Sequence, residues 1–420
     1  MTVIGFITEY NPFHFGHKYH LDQSKKITGA NFSIAIMSGS FVQRGEPSFV
    51  DKWTKAKMAI DNGVDLLIEL PFIYATQSAE LFAYGGIKLM DSLNIVDYIS
   101  FGSELGEIEP LQDIADILIK EPLFFRNRLK YHLSVGTSFA VARSNALEEY
   151  ISKYSPNVQY NIKAILNNSN NILGIEYLKA LKKIGSKIKP ITIKRAGSNY
   201  NDENIGQGFA SATAIRHSIK NKSLSSVKDF LPKESYYHLK DFFDQHYNYN
   251  YIENYNQIFL YLLRTINKEK FKKYMDIEQG LENRLIDFSN KYNDIKIIVE
   301  KAVSKRYPRT RIQRILIQLL NQLDEETFRD LSGKYPSYIR VLGANKKGLI
   351  LINRIKEKSP LPIITKFADY KYFKNKALEE ILLYDKRATD LFYIGLNSSK
   401  SVSNMDYFTS PYISRAPLEI

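Results

Sequence analysis

The chain has 420 residues, 44% of them hydrophobic and 25% charged, and no cysteine. That length leaves room for two domains with a substantial core, and the cysteine count excludes disulfides and thiolate metal sites and fits an expected cytoplasmic location. The formal net charge of +13 is uneven: residues 1–220 hold 24 Lys+Arg against 21 Asp+Glu, and residues 221–420 hold 34 against 24. The basic second half suits a polyanionic partner, and equally a Lys-rich solvated surface. No apolar run approaches the ~18 residues of a membrane span, so no membrane contact is expected. The first run is also too short and too strand-like for a secretory leader.

In chain order, Val3–Ile7 reads as a buried strand. It breaks at Asn11-Pro12, a turn signal, and a helical run spans Lys18–Lys26. Between them stand His14, Gly16 and His17, so that with His20 three of the seven histidines fall within seven residues. Two imidazoles at a strand-to-helix junction, where backbone N–H groups and the helix dipole converge, make an anion site. A metal site built from His14, His17 and His20 fits poorly, because positions i, i+3 and i+6 spread about 120° around a helix. No metal ligand is therefore expected.

Further strands are expected at Phe32–Met37, Asp65–Leu70, Tyr98–Phe101 and Lys189–Lys194. Helices are expected at Lys52–Asn62, Ser78–Met90, Leu111–Ile119, Ala140–Ser152 and Ile172–Ile184. This alternation predicts an α/β fold with a Rossmann-like, doubly wound parallel sheet, whose ligands sit at the carboxyl ends of the strands. Several candidate groups fall on that edge. Arg44 lies in a glycine-flanked loop after the second strand, with Asp51 and Lys52 beyond it. Gly102 ends the fourth strand, and Arg195 follows the fifth. Asn170 and Asn171 open a helix, where capping explains them as well as ligand binding does. Ser211 caps a helix that carries Thr213 and Arg216, so hydroxyl and N–H donors converge there on an anion.

After about residue 220 helices dominate, including runs at Tyr255–Asn267, Ile295–Lys305, Arg311–Leu323 and Ala377–Tyr393, with one short strand at Leu361–Ile364. The expected division is 1–220 and 221–420, the second part mainly helical. Within it, Lys301–Arg314 carries six basic residues and no acid. Arg306, Arg309 and Arg311, interleaved with Tyr307, suit phosphates and a splayed RNA base, and equally a solvated basic helix.

The strand, His14-Phe-Gly16-His17 and helix together resemble the nucleotidyltransferase superfamily with the His-x-Gly-His motif. The string from Gly5 to His20 resembles one family within it more closely, the bacterial tRNA(Met) cytidine acetate ligases. Ser211 to Arg216 resembles the second phosphate signature of that superfamily. The resemblance implies that ATP is the co-substrate, with Mg2+, and that acetate is activated as acetyl-adenylate and passed to N4 of the wobble cytidine of elongator tRNA(Met). It implies that His14 and His17 stabilise the transition state. It also implies that Ile7, Thr8, Glu9, Tyr10, Asn11, Pro12, Phe13, Phe15, Gly16, Lys18, Tyr19 and His20 form the nucleotide stretch, with Gly102, Asn170 or Asn171, Arg195, Ser211 and Arg216. Arg44 would meet substrate, the second half would bind tRNA, and no stable protein partner is expected. The alternatives are a small-molecule adenylyltransferase of the pantetheine-phosphate or nicotinamide-mononucleotide kind, and an RNA-binding protein with a regulatory nucleotide site. The first predicts a chain of roughly half this length.

Overall fold

A computed structural model describes residues 1–155, 160–195, 209–398 and 403–414. Its centre is a mainly parallel sheet. Five strands run parallel: β1 (Val3–Thr8), β2 (Phe32–Ser38), β5 (Leu66–Leu70), β6 (Tyr98–Ser103) and β7 (Lys189–Lys194). Between β2 and β5 lie the two short strands of a hairpin, β3 (Phe41–Val42) and β4 (Glu46–Pro47). The five strands stand in the order β5-β2-β1-β6-β7. Val3, Ile4, Ile34, Ile36, Leu66 and Ile68 are fully buried, as expected of strands covered on both faces. Helix α1 (Phe15–Thr28) follows β1, and α2 (Lys52–Asp61) leads into β5. The chain leaves β1 first toward β2 and β5, then returns to place β6 on its other side. That makes the carboxyl end of the β1–β6 pair the topological switch point, where a doubly wound sheet opens its ligand crevice.

The second half is helical but does not stop at the edge of this sheet. Strand β8 (Ile339–Ala344) runs antiparallel against β5, β9 (Ile363–Ile364) pairs with β8, and so does β10 (Tyr412–Ile413). Strand β8 was not expected from sequence, because Arg340 interrupts its apolar run. In the fold Arg340 is buried beside Asp406 at 2.9 Å, and the ammonium of Lys52 on α2 lies 2.8 Å from Asp406 and 2.9 Å from Glu69 on β5. Two cations face two anions with almost no exposure. Removing one partner would strand an uncompensated buried charge, at a cost of about 3–5 kcal/mol. The network ties the segment around residue 406 to the sheet, and it accounts for Lys52. Asp51 caps α2, accepting the N–H of Thr54 at 2.7 Å.

Among the described residues, no helix is long and apolar enough to cross a membrane.

Candidate active site

At the switch point the turn between β1 and α1 sets the imidazoles. His14 is the N-cap of α1, in extended conformation. Its Nδ1 accepts the N–H of Gly16 at 3.0 Å, and Nδ1 of His17 accepts the N–H of His14 at 3.3 Å. This is a capping box in which both capping side chains are histidines. A Cβ at position 16 would stand 2.8 Å from Cε1 of His14, so a glycine is needed for the ring to fold back onto the helix end. An N–H can be accepted only by a ring nitrogen that carries no proton. Each neutral imidazole therefore holds its proton on Nε2, directed away from the helix end. The rings lie nearly parallel, 3.8 Å apart at their centroids.

Electrostatics keep them neutral. Burial pushes His14 down to about 3, and the guanidinium groups of Arg195 and Arg216 push the same way. Burial, then His14 and Arg195, holds His17 well below its ordinary value. His20 is pushed down to about 4 by burial and Arg195. Its Nε2 lies 2.8 Å from Ser100 Oγ on β6, a contact that fixes the ring against the sheet.

The second signature docks on the first. Ser211 caps the helix Ala212–Asn221, accepting the N–H of Ala214 at 3.1 Å. From that helix Arg216 donates to the carbonyl of Asn11 at 2.9 Å and pairs with Glu46 at 3.1 Å. Asn11 in turn accepts the N–H of Phe49 through Oδ1 at 2.6 Å. The turn before the histidines is thus held from both sides. Just before it, Tyr10 adopts a positive φ of 45°, a strained conformation for a residue with a side chain.

These groups line a cavity of about 410 Å³ with a side chamber of about 60 Å³, a size suited to a small ligand. The wall shared by the two chambers consists of His14, His17, His20, Gly102, Arg195 and Ser211. Ile7, Thr8, Glu9, Tyr10, Asn11, Arg44, Asn170 and Arg216 face the larger chamber, and Gly16 and Tyr19 the smaller. Pro12 and Phe13 are buried beneath the turn, while Phe15 and Lys18 lie on the outer face of α1, Lys18 beside Asp22. None of these four lines the cavity.

The structure separates Asn170 from Asn171. Asn171 is buried, its Oδ1 accepting the N–H groups of Glu104 and Leu105 and its Nδ2 donating to Ile165. It braces the loop after β6. Asn170 reaches the cavity with its Nδ2 held by Glu104 at 2.6 Å. The carboxylate of Glu104 also accepts the N–H of Asn171 at 3.0 Å, so Glu104 supplies the cap that an asparagine was expected to make. Glu104 lies two residues after Gly102 in the sequence, and that proximity was the available signal.

The basic stretch of the second half splits in three. Helix Arg309–Asn321 packs on the β3–β4 hairpin. Gly45 there has a φ of +77°, and a Cβ would lie 2.3 Å from the backbone nitrogen of Arg314. Thr310, the second residue of that helix, lines the larger chamber. Arg306 and Arg311 both pair with Glu278, and Arg314 pairs with Asp276. Arg309 is half exposed, 3.8 Å from Glu300.

The HIGH Nucleotidyl Transferase family matches residues 1–406. The tRNA(Met) cytidine acetate ligase of Thermoanaerobacter sp. (strain X514) is 45% identical over 409 residues, covering 97% of this chain and 98% of the relative. That of Clostridium botulinum (strain Langeland) is 42% identical over 414 residues, covering 98% of both. Among solved structures, apo Thermotoga maritima TmcAL superposes with a TM-score of 0.93 at 33% identity, covering 98% of this chain and 99% of that one. The same protein bound with alpha-thio ATP gives 0.91. Sequence and fold agree over almost the full length, and the chain belongs to the HIGH nucleotidyl transferase family and, within it, to the tRNA(Met) cytidine acetate ligases.

Proposed function

We propose that this enzyme activates acetate with ATP, releasing pyrophosphate, and passes the acetyl group from acetyl-adenylate to N4 of the wobble cytidine of elongator tRNA(Met). The observation that carries the proposal is the pair of Nε2–H donors of His14 and His17, fixed side by side where the two chambers meet. Displacement at the α-phosphorus builds negative charge on the phosphoryl oxygens, and prepositioned donors in a dry site stabilise that charge more than they stabilise the ground state.

In this reading ATP takes the wall formed by Gly102, Arg195 and Ser211, with the helix behind Ser211 aimed at its phosphates. Asn170, rather than the fully engaged Asn171, contacts the nucleotide. Arg44 holds the acetate carboxylate on the other side of the histidines. No cluster of three or more ligating side chains occurs among the described residues, so Mg2+ would arrive on the phosphates of ATP rather than in a cage of its own. Residues 1–220 would carry the chemistry. Residues 221–420 would present tRNA through basic groups such as Arg309, which precedes the chamber residue Thr310. The reaction would take place in the cytoplasm and need no stable protein partner.

The test is pyrophosphate release from ATP, with and without acetate and tRNA, followed by nucleoside analysis of the tRNA. Acetate-dependent release and N4-acetylcytidine in tRNA(Met) are expected. Absence of acetate dependence overturns the activation step. Activation with no acetylated cytidine removes tRNA as the acceptor.

A further inference from the structure

Adenylation needs donors and cations, yet the larger chamber also holds an acid. Glu9 directly follows β1, and its carboxylate is turned toward the hairpin: Oε1 accepts the N–H of Gln43 at 2.8 Å. The residue after Gln43 is Arg44, and the turn they share lies against the helix that carries Thr310. Glu9 therefore sits on the side of the cavity bounded by the second half, away from the smaller chamber, which it does not line. It is the only carboxylate among the described residues lining either chamber.

Acyl transfer to an amine must release a proton, and few groups here can take one. His14 and His17 have their Nδ1 lone pairs filled by backbone N–H groups and their protons on Nε2. His20 belongs to the wall shared with the smaller chamber, with Nε2 at Ser100. Burial holds the phenols of Tyr10 and Tyr177 above their ordinary range, so neither ionises near neutrality. Glu9 remains. Burial raises its carboxyl, while the Gln43 N–H and then the charges of Arg44, Lys55 and Arg216 oppose the rise, and Tyr177 lines the same chamber. A carboxylate moved toward the working pH is a better base than an exposed one. It is also the side chain that pairs with the exocyclic amine of cytosine.

We propose that Glu9 is the acceptor-side catalytic residue: its carboxylate receives the N4 amine of the incoming cytosine and takes the proton released on acetyl transfer. This rests on the ligase reading above. The amine nitrogen forms a bond to the acetyl carbonyl carbon. The bond from that carbon to the phosphate oxygen breaks, its electron pair leaves with AMP, and the amine proton passes to Glu9 and then to water. The amine lone pair is delocalised into the cytosine ring, so bond formation depends on that proton being removed.

Two measurements separate the steps. Acetate-dependent exchange of pyrophosphate into ATP reads adenylation without tRNA. Single-turnover transfer from enzyme-bound acetyl-adenylate to tRNA reads the second step. Glu9→Gln keeps the shape and the Gln43 contact. It is expected to slow transfer by roughly 10²–10⁴-fold, and to slow exchange by a factor at least ten times smaller, with Glu9→Asp intermediate. The wild-type transfer rate should rise with pH across the weakly acidic range, and the Glu9→Gln profile should be flat there. Exchange falling as far as transfer would assign Glu9 to the nucleotide or its Mg2+ and overturn the proposal, as would unimpaired transfer. Wild-type enzyme without acetate-dependent exchange would instead overturn the ligase reading itself.

Discussion

The turn before α1 and the basic stretch at 301–314 are both dense in chemistry-bearing residues, and the fold treats them oppositely. In the turn, every partner that fixes the two imidazoles is local: the N–H of Gly16 for His14 and the N–H of His14 for His17. The four residues from His14 to His17 contain every one of these contacts. In the basic stretch, the partners come from elsewhere in the chain. Glu278 takes Arg306 and Arg311, and Asp276 takes Arg314. Charge counted along a sequence overstates the charge a surface offers, because acids from distant segments fold onto it.

Removing a donor from the turn carries the largest expected effect. His14→Ala should lower acetate-dependent pyrophosphate exchange by about 10²–10³-fold, the usual consequence of losing one prepositioned donor. The far-ultraviolet circular dichroism should be unchanged. Gly16→Ala should fall in the same direction, since the added Cβ collides with the ring that it must let past.

Arg216→Ala tests whether the second signature acts through the first. It removes the donor to Asn11 and the partner of Glu46. Charge-assisted hydrogen bonds contribute about 1.5–3 kcal/mol, so exchange should drop roughly ten- to a hundredfold.

Titration gives a smaller effect with a defined sign. His14, His17 and His20 have folded values below the ordinary 6.5. As pH falls below 6.5 the unfolded chain gains protons on these rings that the folded chain does not, so stability is full above that value and declines below it. The urea midpoint should fall between about pH 7 and about pH 5. A His14→Ala/His17→Ala variant should show a shallower fall.

The smallest effects belong to the basic stretch. Arg309→Ala should reduce the dependence of tRNA affinity on salt by about one unit of slope, as loss of one phosphate contact does. Arg306→Ala should do less, its guanidinium already being paired with Glu278.

The sheet was legible where apolar runs were unbroken. Expected Val3–Ile7 is found as Val3–Thr8, and Lys189–Lys194 is found at those bounds. Strand β8 was not, because Arg340 breaks its apolar run and its partner Asp406 lies 66 positions away. The helix Leu123–Ser134 was also missed, since its alternation of Phe, Arg, Leu and Lys has little apolar periodicity. At the site, the histidine motif and Ser211–Arg216 were legible as patterns. The docking of Arg216 onto Asn11, the division of labour between Asn170 and Asn171, and the isolation of Glu9 were not, because each depends on contacts between segments far apart in sequence.

Attack by an acetate oxygen on the α-phosphorus of ATP can be followed by running the complete reaction with 18O-labelled acetate and weighing the AMP. Attack through oxygen followed by acyl transfer leaves one acetate oxygen on the phosphate, so AMP carrying a single 18O is predicted. Unlabelled AMP, or label found in pyrophosphate or inorganic phosphate, would contradict the account.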